Sequence, residues 1–460
     1  MTRMDNIHFL SPCKVNGDFV RTLPILPTSQ SGNAIVDDSA QTHARINKSA
    51  HIYKHSLETW LGDFIKTQPL PAFYSLSFHF IEDLSKKLLK NPQYREYPEL
   101  IALGFWLRKS NLSKKIDSAK NKREEHIESQ QALGLVAHFT PANVDTMFIY
   151  SWVASLLIGN LNIVRVASQD SVSKVLLLEL INALFAESRY QEIASRNVFV
   201  SYDKLSDASQ LICAKADARM MWGGDASVAQ IQALPTMSHT KDFCFADKYS
   251  VAIVSDNVIS HSIENIAQRL WRDTQAFQQQ ACSSPRVLYV IQQETNKSEL
   301  RNVLKALFAK LAQMAKADKG DWPDIGRTNE HLLALQNLAL GQLCCPDDAL
   351  IALNLVSAIS LDVMSQDAFE RHSGNGLFYV RVVSSTEIVA DELANCLPDK
   401  LQTVSIAIED DINPKIADSI YHLLGQRVKH EQYRVQALGE ALDFSFHWDG
   451  YDLLRQLAKN

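Results

Sequence analysis

From Gly134 onward the chain alternates short apolar runs, rich in β-branched residues, with amphipathic segments, and this alternation restricts its fold more than any other feature. Gly134-Leu135-Val136-Ala137-His138-Phe139 reads as a strand, followed by a helix from Val144 to Ile158 and a second strand over Asn162-Ile163-Val164-Arg165-Val166. Val172, Val175, Leu176, Leu180, Ala183 and Leu184 then share one helical face. Further strands are expected over Asn197 to Tyr202, Arg219 to Trp222 and Tyr249 to Val254, with helices near Leu205 to Ala214 and Val228 to Leu234. Strands separated by helices pair through crossovers, which gives a parallel sheet covered on both faces.

A second series follows. Ile263, Ile266, Ala267 and Leu270 lie on one face of a helix expected to run to about Gln280. A strand from Val287 to Ile291 leads to a helix carrying Leu300, Val303, Leu304, Leu307 and Leu311, and strands are expected at Phe378 to Val383 and Thr403 to Ile408. The boundary between the series falls near Phe243. Upstream, the first 50 residues mix Pro, Gly, Ser and Asn and read as a loose arm. Residues 50 to 130 read as helical, around Phe64 and Ile65, Phe80 to Leu89 and Leu100 to Leu107. At 460 residues the chain is too long for one ordinary core.

Charge and cysteine usage exclude several functions. A net charge of -6 opposes nucleic acid or anionic membrane as a partner. The basic residues Lys114, Lys115, Lys120, Lys122 and Arg123 are followed by Glu124 and Glu125, as on a solvated helix face. The longest apolar stretch, Met147 to Ala167, is interrupted by Ser151, Ser155, Gly159, Asn160, Asn162 and Arg165, which suits a buried helix entering a strand and not a membrane span. Seven cysteines without a C-x-x-C or a zinc-type cluster suggest neither a disulfide framework nor a metal site, and a cytoplasmic location is expected. The N-terminus does not read as a signal peptide.

Four segments hold residues capable of chemistry. In Gln280-Ala281-Cys282-Ser283-Ser284-Pro285-Arg286, small residues and a proline separate a helix from a strand. A thiol there can be reached by a substrate as a nucleophile, or it can be one more small buried hydrophobe. Asn143, in His138-Phe139-Thr140-Pro141-Ala142-Asn143, lies between a strand and a helix. Its amide serves either as an N-cap or as a donor to a developing oxyanion, and His138 reads as a packed strand residue. Gly223 and Gly224, after Trp222, suit a phosphate at a helix N-terminus or an ordinary turn. Arg165, near a strand end, suits a ribose or phosphate, or a surface carboxylate.

Taken together, these segments resemble the aldehyde dehydrogenase superfamily, and within it the LuxC-type acyl-CoA reductases that supply fatty aldehyde to bacterial luciferase. The resemblance runs from about Gly134 to the C-terminus and adds Asp247-Lys248-Tyr249-Ser250 and Trp448-Asp449-Gly450 to the four segments. It implies an α/β fold of two Rossmann-like parallel-sheet domains with a small oligomerisation element. It also implies residues 1–243 as arm and NADP-binding domain, 244–424 as catalytic thiol domain, and 425–460 as a segment returning to the cofactor domain or an oligomer interface. Cys282 falls on the family's nucleophile, and Asn143 on the amide that shares the oxyanion hole with the nucleophile's backbone N–H. Thr140, Pro141 and Ala142 fall on the nicotinamide side, Arg165 on the adenine-ribose cation and Gly223-Gly224 on the diphosphate turn.

Two departures from the superfamily pattern matter. Ser168 stands where a ribose-binding Glu is common, which favours NADPH because a 2′-phosphate is not repelled. No Glu occurs between Cys244 and Lys248, where hydrolytic members carry the residue that activates a deacylating water. The resemblance therefore implies reduction of a long-chain fatty acyl-CoA or acyl-protein thioester to the aldehyde, with an acyl-protein synthetase as partner and a homo-oligomeric state. The alternatives are a CoA-acylating aldehyde dehydrogenase running the other way and a cofactor-free acyltransferase using Cys282.

Overall fold

The structure is a computed structural model that describes residues 8–11, 13–15, 18–20, 57–121, 130–141, 144–167, 171–203, 206–317, 325–341, 343–344, 349–408, 414–428 and 433–459. Most of the arm, Leu205, and the run from Lys122 to Glu125 lie outside these residues. The chain forms two compact units, one of Met1–Ala246 with Ser445–His447 and Tyr451–Asn460, the other of Asp247–Phe444 with Trp448–Gly450.

The first unit is built on a six-stranded sheet in the order His8–Phe9, Asn197–Ser201, Leu161–Arg165, Leu135–Phe139, Ala218–Trp222, Lys241–Phe245. All pairings are parallel except that of His8–Phe9, so part of the expected loose arm is an antiparallel edge strand. The parallel strands start in the middle of this sheet with Leu135–Phe139, build outward to one side, then return to build the other. The order therefore reverses between Leu135–Phe139 and Ala218–Trp222, and such a switch point opens a ligand crevice at the carboxyl ends of the two strands.

The helix Met147–Ile158 is buried almost all round, the property of a helix packed inside a core. Its start corrects the Val144 expectation. Val144 to Thr146 form a turn, with the Met147 amide donating to the Val144 carbonyl at 3.1 Å, and Thr146 holds the cap position without a side-chain bond. Asn143, the expected N-cap, lies outside the described residues. Gly159 ends this helix in the left-handed region at φ 86°. A Cβ there would lie 2.1 Å from the Leu70 carbonyl oxygen, and the Leu70 amide donates to the Gly159 carbonyl at 2.8 Å. Gly159→Ala is therefore expected to cost about 3 kcal/mol or more, from left-handed strain plus a backbone collision. Denaturant unfolding of the variant measures this.

The second unit carries a seven-stranded sheet in the order Leu350–Ala352, Ser357–Leu361, Leu377–Val383, Pro285–Ile291, Tyr249–Ser255, Leu401–Ala407, Arg434–Ala437. Only Leu350–Ala352 is antiparallel. Tyr249–Ser255, read with the first series, is thus a central strand of the second sheet. The strand that closes the first sheet is Lys241–Phe245, which the sequence reading lacks. Alternate residues of the central strands fill separate cores on the two faces. Val251, Ile253, Val287, Tyr289 and Ile291 face one, and Ala252, Val254, Leu288 and Val290 the other. Helices Ile263–Thr274 and Lys297–Ala317 cover the second face.

The helix expected to reach Gln280 ends at Thr274. Phe277, Gln278 and Gln279 follow in left-handed conformation, at φ 55°, 51° and 63°. Successive non-glycine residues in this region are strained, and the surrounding bonds hold them there. Gln279 Nε2 donates to the Pro285 carbonyl at 2.8 Å, its Oε1 accepts from the Gly376 amide at 3.0 Å, and Gln280 Nε2 donates to the Ser373 carbonyl at 2.8 Å. This fixes the residues that precede Cys282. Among the described residues no helix is long and apolar enough to cross a membrane.

Candidate active site

In the first unit, three of the expected cofactor positions share the carboxyl edge of the sheet. Thr140 directly follows Leu135–Phe139, Arg165 ends its strand opposite Phe139, and Gly223 directly follows Ala218–Trp222. Thr140 Oγ1 donates to the Arg165 carbonyl at 2.8 Å, so the hydroxyl is spent within the sheet. The Arg165 guanidinium is buried, not a surface cation. Its Nη2 donates to the Tyr202 carbonyl at 3.2 Å, it lies 5.4 Å from the Tyr202 ring, and its Nε has no hydrogen-bond partner. Gly223 sits at φ 154°, and Gly224 caps the helix Asp225–Gln232 without a side chain over its first N–H groups. Pro141 is half-buried, whereas Ala142, Asn143 and Ser168 lie outside the described residues.

His138 is a packed strand residue. It is fully buried, 2.8 Å from Ser151 Oγ and 2.9 Å from Asn162 Oδ1, and burial brings its pKa down to about 4. It therefore remains neutral and anchors a polar network. Asn162 Nδ2 and Trp152 Nε1 both donate to Asn197 Oδ1, and Trp222 Nε1 donates to Ser151 Oγ. With these bonds made, the side chains can stay in the core beneath the switch point.

In the second unit, Cys282 lies just ahead of Pro285–Ile291, at the amino edge of the sheet. It is half-buried. Its carbonyl accepts from Ser250 Oγ at 2.8 Å, and Ser250 Oγ in turn accepts from the Thr403 amide at 3.1 Å. One serine thus ties the thiol loop to two strands. Residues from several strand beginnings converge here: Lys248 before Tyr249–Ser255, Arg286 in Pro285–Ile291, Gln402 in Leu401–Ala407 and Arg434 in Arg434–Ala437. Asp449, in the turn after Trp448, joins them, accepting from Gln402 Nε2 at 2.9 Å. Arg434 is oriented by Thr403 Oγ1 at 3.0 Å, the Asp443 carbonyl at 2.8 Å and the Trp448 ring at 3.9 Å.

The electrostatics of the thiol are mixed. Burial and the Asp449 carboxylate push Cys282 up to about 11, against the Gln402 amide, Arg434 and Arg286, which favour the thiolate. Burial lowers Lys248, with Asp449 and Cys282 acting the other way, and burial lowers Arg434 to about 10. Burial raises Asp449. Cys213, Cys344 and Cys396 are buried, and burial raises Cys244 as well. The sequence reading isolated Cys282 but assigned no role to Lys248, Arg286, Gln402, Arg434 or Asp449. Lys248, Arg286 and Asp449 did lie in segments that the resemblance singled out, Asp247-Lys248-Tyr249-Ser250, Gln280 to Arg286 and Trp448-Asp449-Gly450, whereas Gln402 and Arg434 had no such signal.

Three comparisons bear on this arrangement. The family profile of acyl-CoA reductase (LuxC) matches residues 72–460. No curated protein sequence matches the chain. Among solved structures, lactaldehyde dehydrogenase from Escherichia coli is similar at 12% identity and TM-score 0.54, over 88% of this chain and 88% of that one. A variant of 1-pyrroline-5-carboxylate dehydrogenase from Thermus thermophilus is similar at 12% identity and TM-score 0.58, over 89% and 84%. The NAD+ complex of an aldehyde dehydrogenase from Bacillus cereus is similar at 12% identity and TM-score 0.53, over 87% and 88%. At such identities the neighbours establish an aldehyde dehydrogenase fold, and the family profile, spanning most of the chain, establishes its lineage: the chain belongs to the acyl-CoA reductase (LuxC) family.

Proposed function

We propose that the chain reduces a long-chain fatty acyl-CoA or acyl-protein thioester to the fatty aldehyde with NADPH, by way of an acyl group on Cys282. The observation that carries this reading is a half-buried thiol at the amino edge of the second sheet, in a loop that Ser250 ties to two strands, in a chain of this family. The first unit is the cofactor domain in this reading, the second the thiol domain, and the C-terminal segment returns to the cofactor domain or an oligomer interface.

Cys282 Sγ attacks the thioester carbonyl, and the tetrahedral oxyanion takes hydrogen bonds from the Asn143 amide and the Cys282 backbone N–H. The donor thiol departs and leaves the acyl group on Cys282. A nicotinamide cofactor, when bound, supplies the hydride that reduces this acyl group. The resulting thiohemiacetal on Cys282 collapses to aldehyde and free thiol.

Thr140, Pro141, Ala142, Arg165, Ser168, Gly223 and Gly224 would hold the cofactor. Two features suit them to it: the uncovered helix start after Gly224, and the buried Arg165 Nε without a partner. The absence of a Glu between Cys244 and Lys248 favours transfer between thiols over hydrolysis. A supplying acyl-protein synthetase, a homo-oligomeric state and a cytoplasmic location accompany this reading.

Incubation with acyl-CoA of increasing chain length and NADPH tests it. Aldehyde should form in proportion to NADPH consumed, whereas acyl transfer without NADPH consumption would reject it. For cofactor choice, Ser168→Glu should shift preference from NADPH towards NADH by roughly tenfold or more, from one added like charge near the 2′-phosphate at an effective dielectric of about 20. KM ratios for the two cofactors measure the shift.

A further inference from the structure

Cys282 occupies the second position of a tight turn. The Ser284 amide donates to the Ala281 carbonyl at 3.0 Å, a bond that leaves the Cys282 N–H unused by the turn itself. Two serines anchor this turn at different points. Ser250 Oγ donates to the Cys282 carbonyl at 2.8 Å, and Ser284 Oγ donates to the Asp273 carbonyl at 2.7 Å. Both serines are fully buried. Their hydroxyls have no water to fall back on, so each anchor holds only while its partner stays in place.

Arg434 joins what the two anchors are fastened to. The paired strands Tyr249–Ser255 and Leu401–Ala407 change register between Leu401 and Val404, and this frees the Thr403 amide to donate to Ser250 Oγ at 3.1 Å. Arg434 stands directly opposite Thr403 in the next strand, and its Nε donates to Thr403 Oγ1 at 3.0 Å. The far side of the guanidinium reaches the 439–443 turn, where Nη1 donates to the Asp443 carbonyl at 2.8 Å and Nη2 to the Ala441 carbonyl. The Gly439 and Ala441 amides each donate to the Asp273 carboxylate at 2.8 Å. The bonds thus close a ring that runs from Cys282 through Ser250, Thr403, Arg434, Ala441, Asp273 and Ser284 back to the same turn. All three hydrogen-bond partners of Arg434 are neutral oxygens, so attraction to a carboxylate is not what it supplies. It supplies a rigid planar fork that spans two elements, which the point charge of a Lys cannot do.

We propose that Arg434 is a positioning residue for Cys282: by bridging Thr403 and the 439–443 turn it keeps the two serine anchors in register, and so keeps the Cys282 N–H aimed at the oxyanion. This rests on Cys282 being the acyl carrier and adds to that reading the residue that holds its turn in place. In the acyl transfer, the Sγ–carbon bond forms, the bond from that carbon to the donor sulfur breaks, and the Cys282 proton leaves with the departing thiol. The carbonyl oxygen carries the charge in between, and an N–H shifted by a fraction of its bond length no longer meets it well. Alkylation by iodoacetamide forms an Sγ–carbon bond with loss of iodide and the thiol proton, and no oxyanion arises. Two reactions of one sulfur therefore separate its own reactivity from the aim of its backbone.

Two variants of the full-length protein test this. Arg434→Lys keeps the charge but cannot span the acceptors, and Thr403→Val removes the hydroxyl that receives Nε while leaving the Thr403 amide on Ser250. Three rates are compared with wild type at one pH: single-turnover acylation of Cys282 by saturating long-chain acyl-CoA, alkylation of Cys282 by iodoacetamide, and hydrogen exchange of the peptide carrying residues 281–284. In both variants acylation should slow roughly tenfold or more while alkylation stays within about twofold, because only the first reaction depends on aim. Exchange of the turn should quicken. Acylation at the wild-type rate in either variant overturns the proposal, and so does an equal slowing of acylation and alkylation, which would place the effect on the sulfur itself. Should Arg434→Lys not fold, Thr403→Val decides alone. If wild type accepts no acyl group, the proposed function fails and exchange decides the ring: faster exchange in the variants keeps Arg434 as the holder of the turn, and unchanged exchange removes it.

Discussion

Replacement of Cys282 by alanine is expected to lower thioester-dependent aldehyde formation by at least roughly three orders of magnitude, as removal of a covalent nucleophile does. The loss should appear in kcat with little change in folding. Cys282 is half-buried and its backbone is held by Ser250, an interaction the side chain does not make. Truncation by one sulfur at such a position costs on the order of 1 kcal/mol. The neighbouring groups cannot substitute for the thiol. Gln402, Arg434, Arg286 and Lys248 surround it with donors and charge, but none can form a thioester. Rates in the variant close to those of wild type would remove Cys282 from the mechanism.

The second large effect concerns stability. Asp273 is fully buried at the end of the helix Ile263–Thr274, and its carboxylate accepts from the Gly439 and Ala441 amides, each at 2.8 Å. Its carbonyl accepts from Ser284 Oγ at 2.7 Å, two residues beyond Cys282. One side chain thus fixes the 439–441 turn, whose Ala441 carbonyl accepts from Arg434. Asp273→Ala leaves two buried N–H groups without partners and should cost about 3 kcal/mol, from roughly 1–3 kcal/mol for each.

The pH dependence has a defined sign. Burial raises Asp273 to about 7, above the ordinary carboxylate value, with the two amides opposing. The folded protein therefore binds this proton more tightly than the unfolded chain does. The resulting stability is complete below about pH 4 and is lost as pH rises through 7. Denaturant unfolding at several pH values should show the gap between wild type and Asp273→Ala widening from pH 8 to pH 5. A constant gap would mean that Asp273 does not titrate in this range.

The fold was legible where burial is two-sided. Parallel strands covered on both faces, such as Leu135–Phe139 and Pro285–Ile291, need continuous apolar runs, and these stand out in sequence. Lys241–Phe245 did not stand out, because an edge strand needs cover from one side only and this one carries Lys241 and Asp242. Asp242 pairs with Arg219 of the neighbouring strand at 2.7 and 2.5 Å, a tertiary fact with no local signature. The left-handed run Phe277 to Gln279 contains no glycine to announce it and is imposed by contacts with Ser373 to Gly376.

The candidate site divides in the same way. Cys282, Gly223 and Arg165 lie at strand ends, so strand prediction alone put them in plausible places. Gln402 and Asp449 bond to each other across 47 residues, and Ser250 and Thr403 reach the Cys282 loop only because parallel strands bring their amino ends together. No spacing rule in the sequence encodes that meeting. Arg165 also shows the limit of reading charge as exposure, since its guanidinium is turned into the core onto the Tyr202 carbonyl.

The central claim is that Cys282 carries the acyl group between thioester and aldehyde. Its most direct test is to load the full-length protein with isotopically labelled long-chain acyl-CoA, locate the label by peptide mass spectrometry, and then add NADPH. The account predicts one acyl group, on Cys282, discharged as labelled aldehyde when NADPH is added. A label on another residue, or one on Cys282 that NADPH does not release as aldehyde, would contradict it.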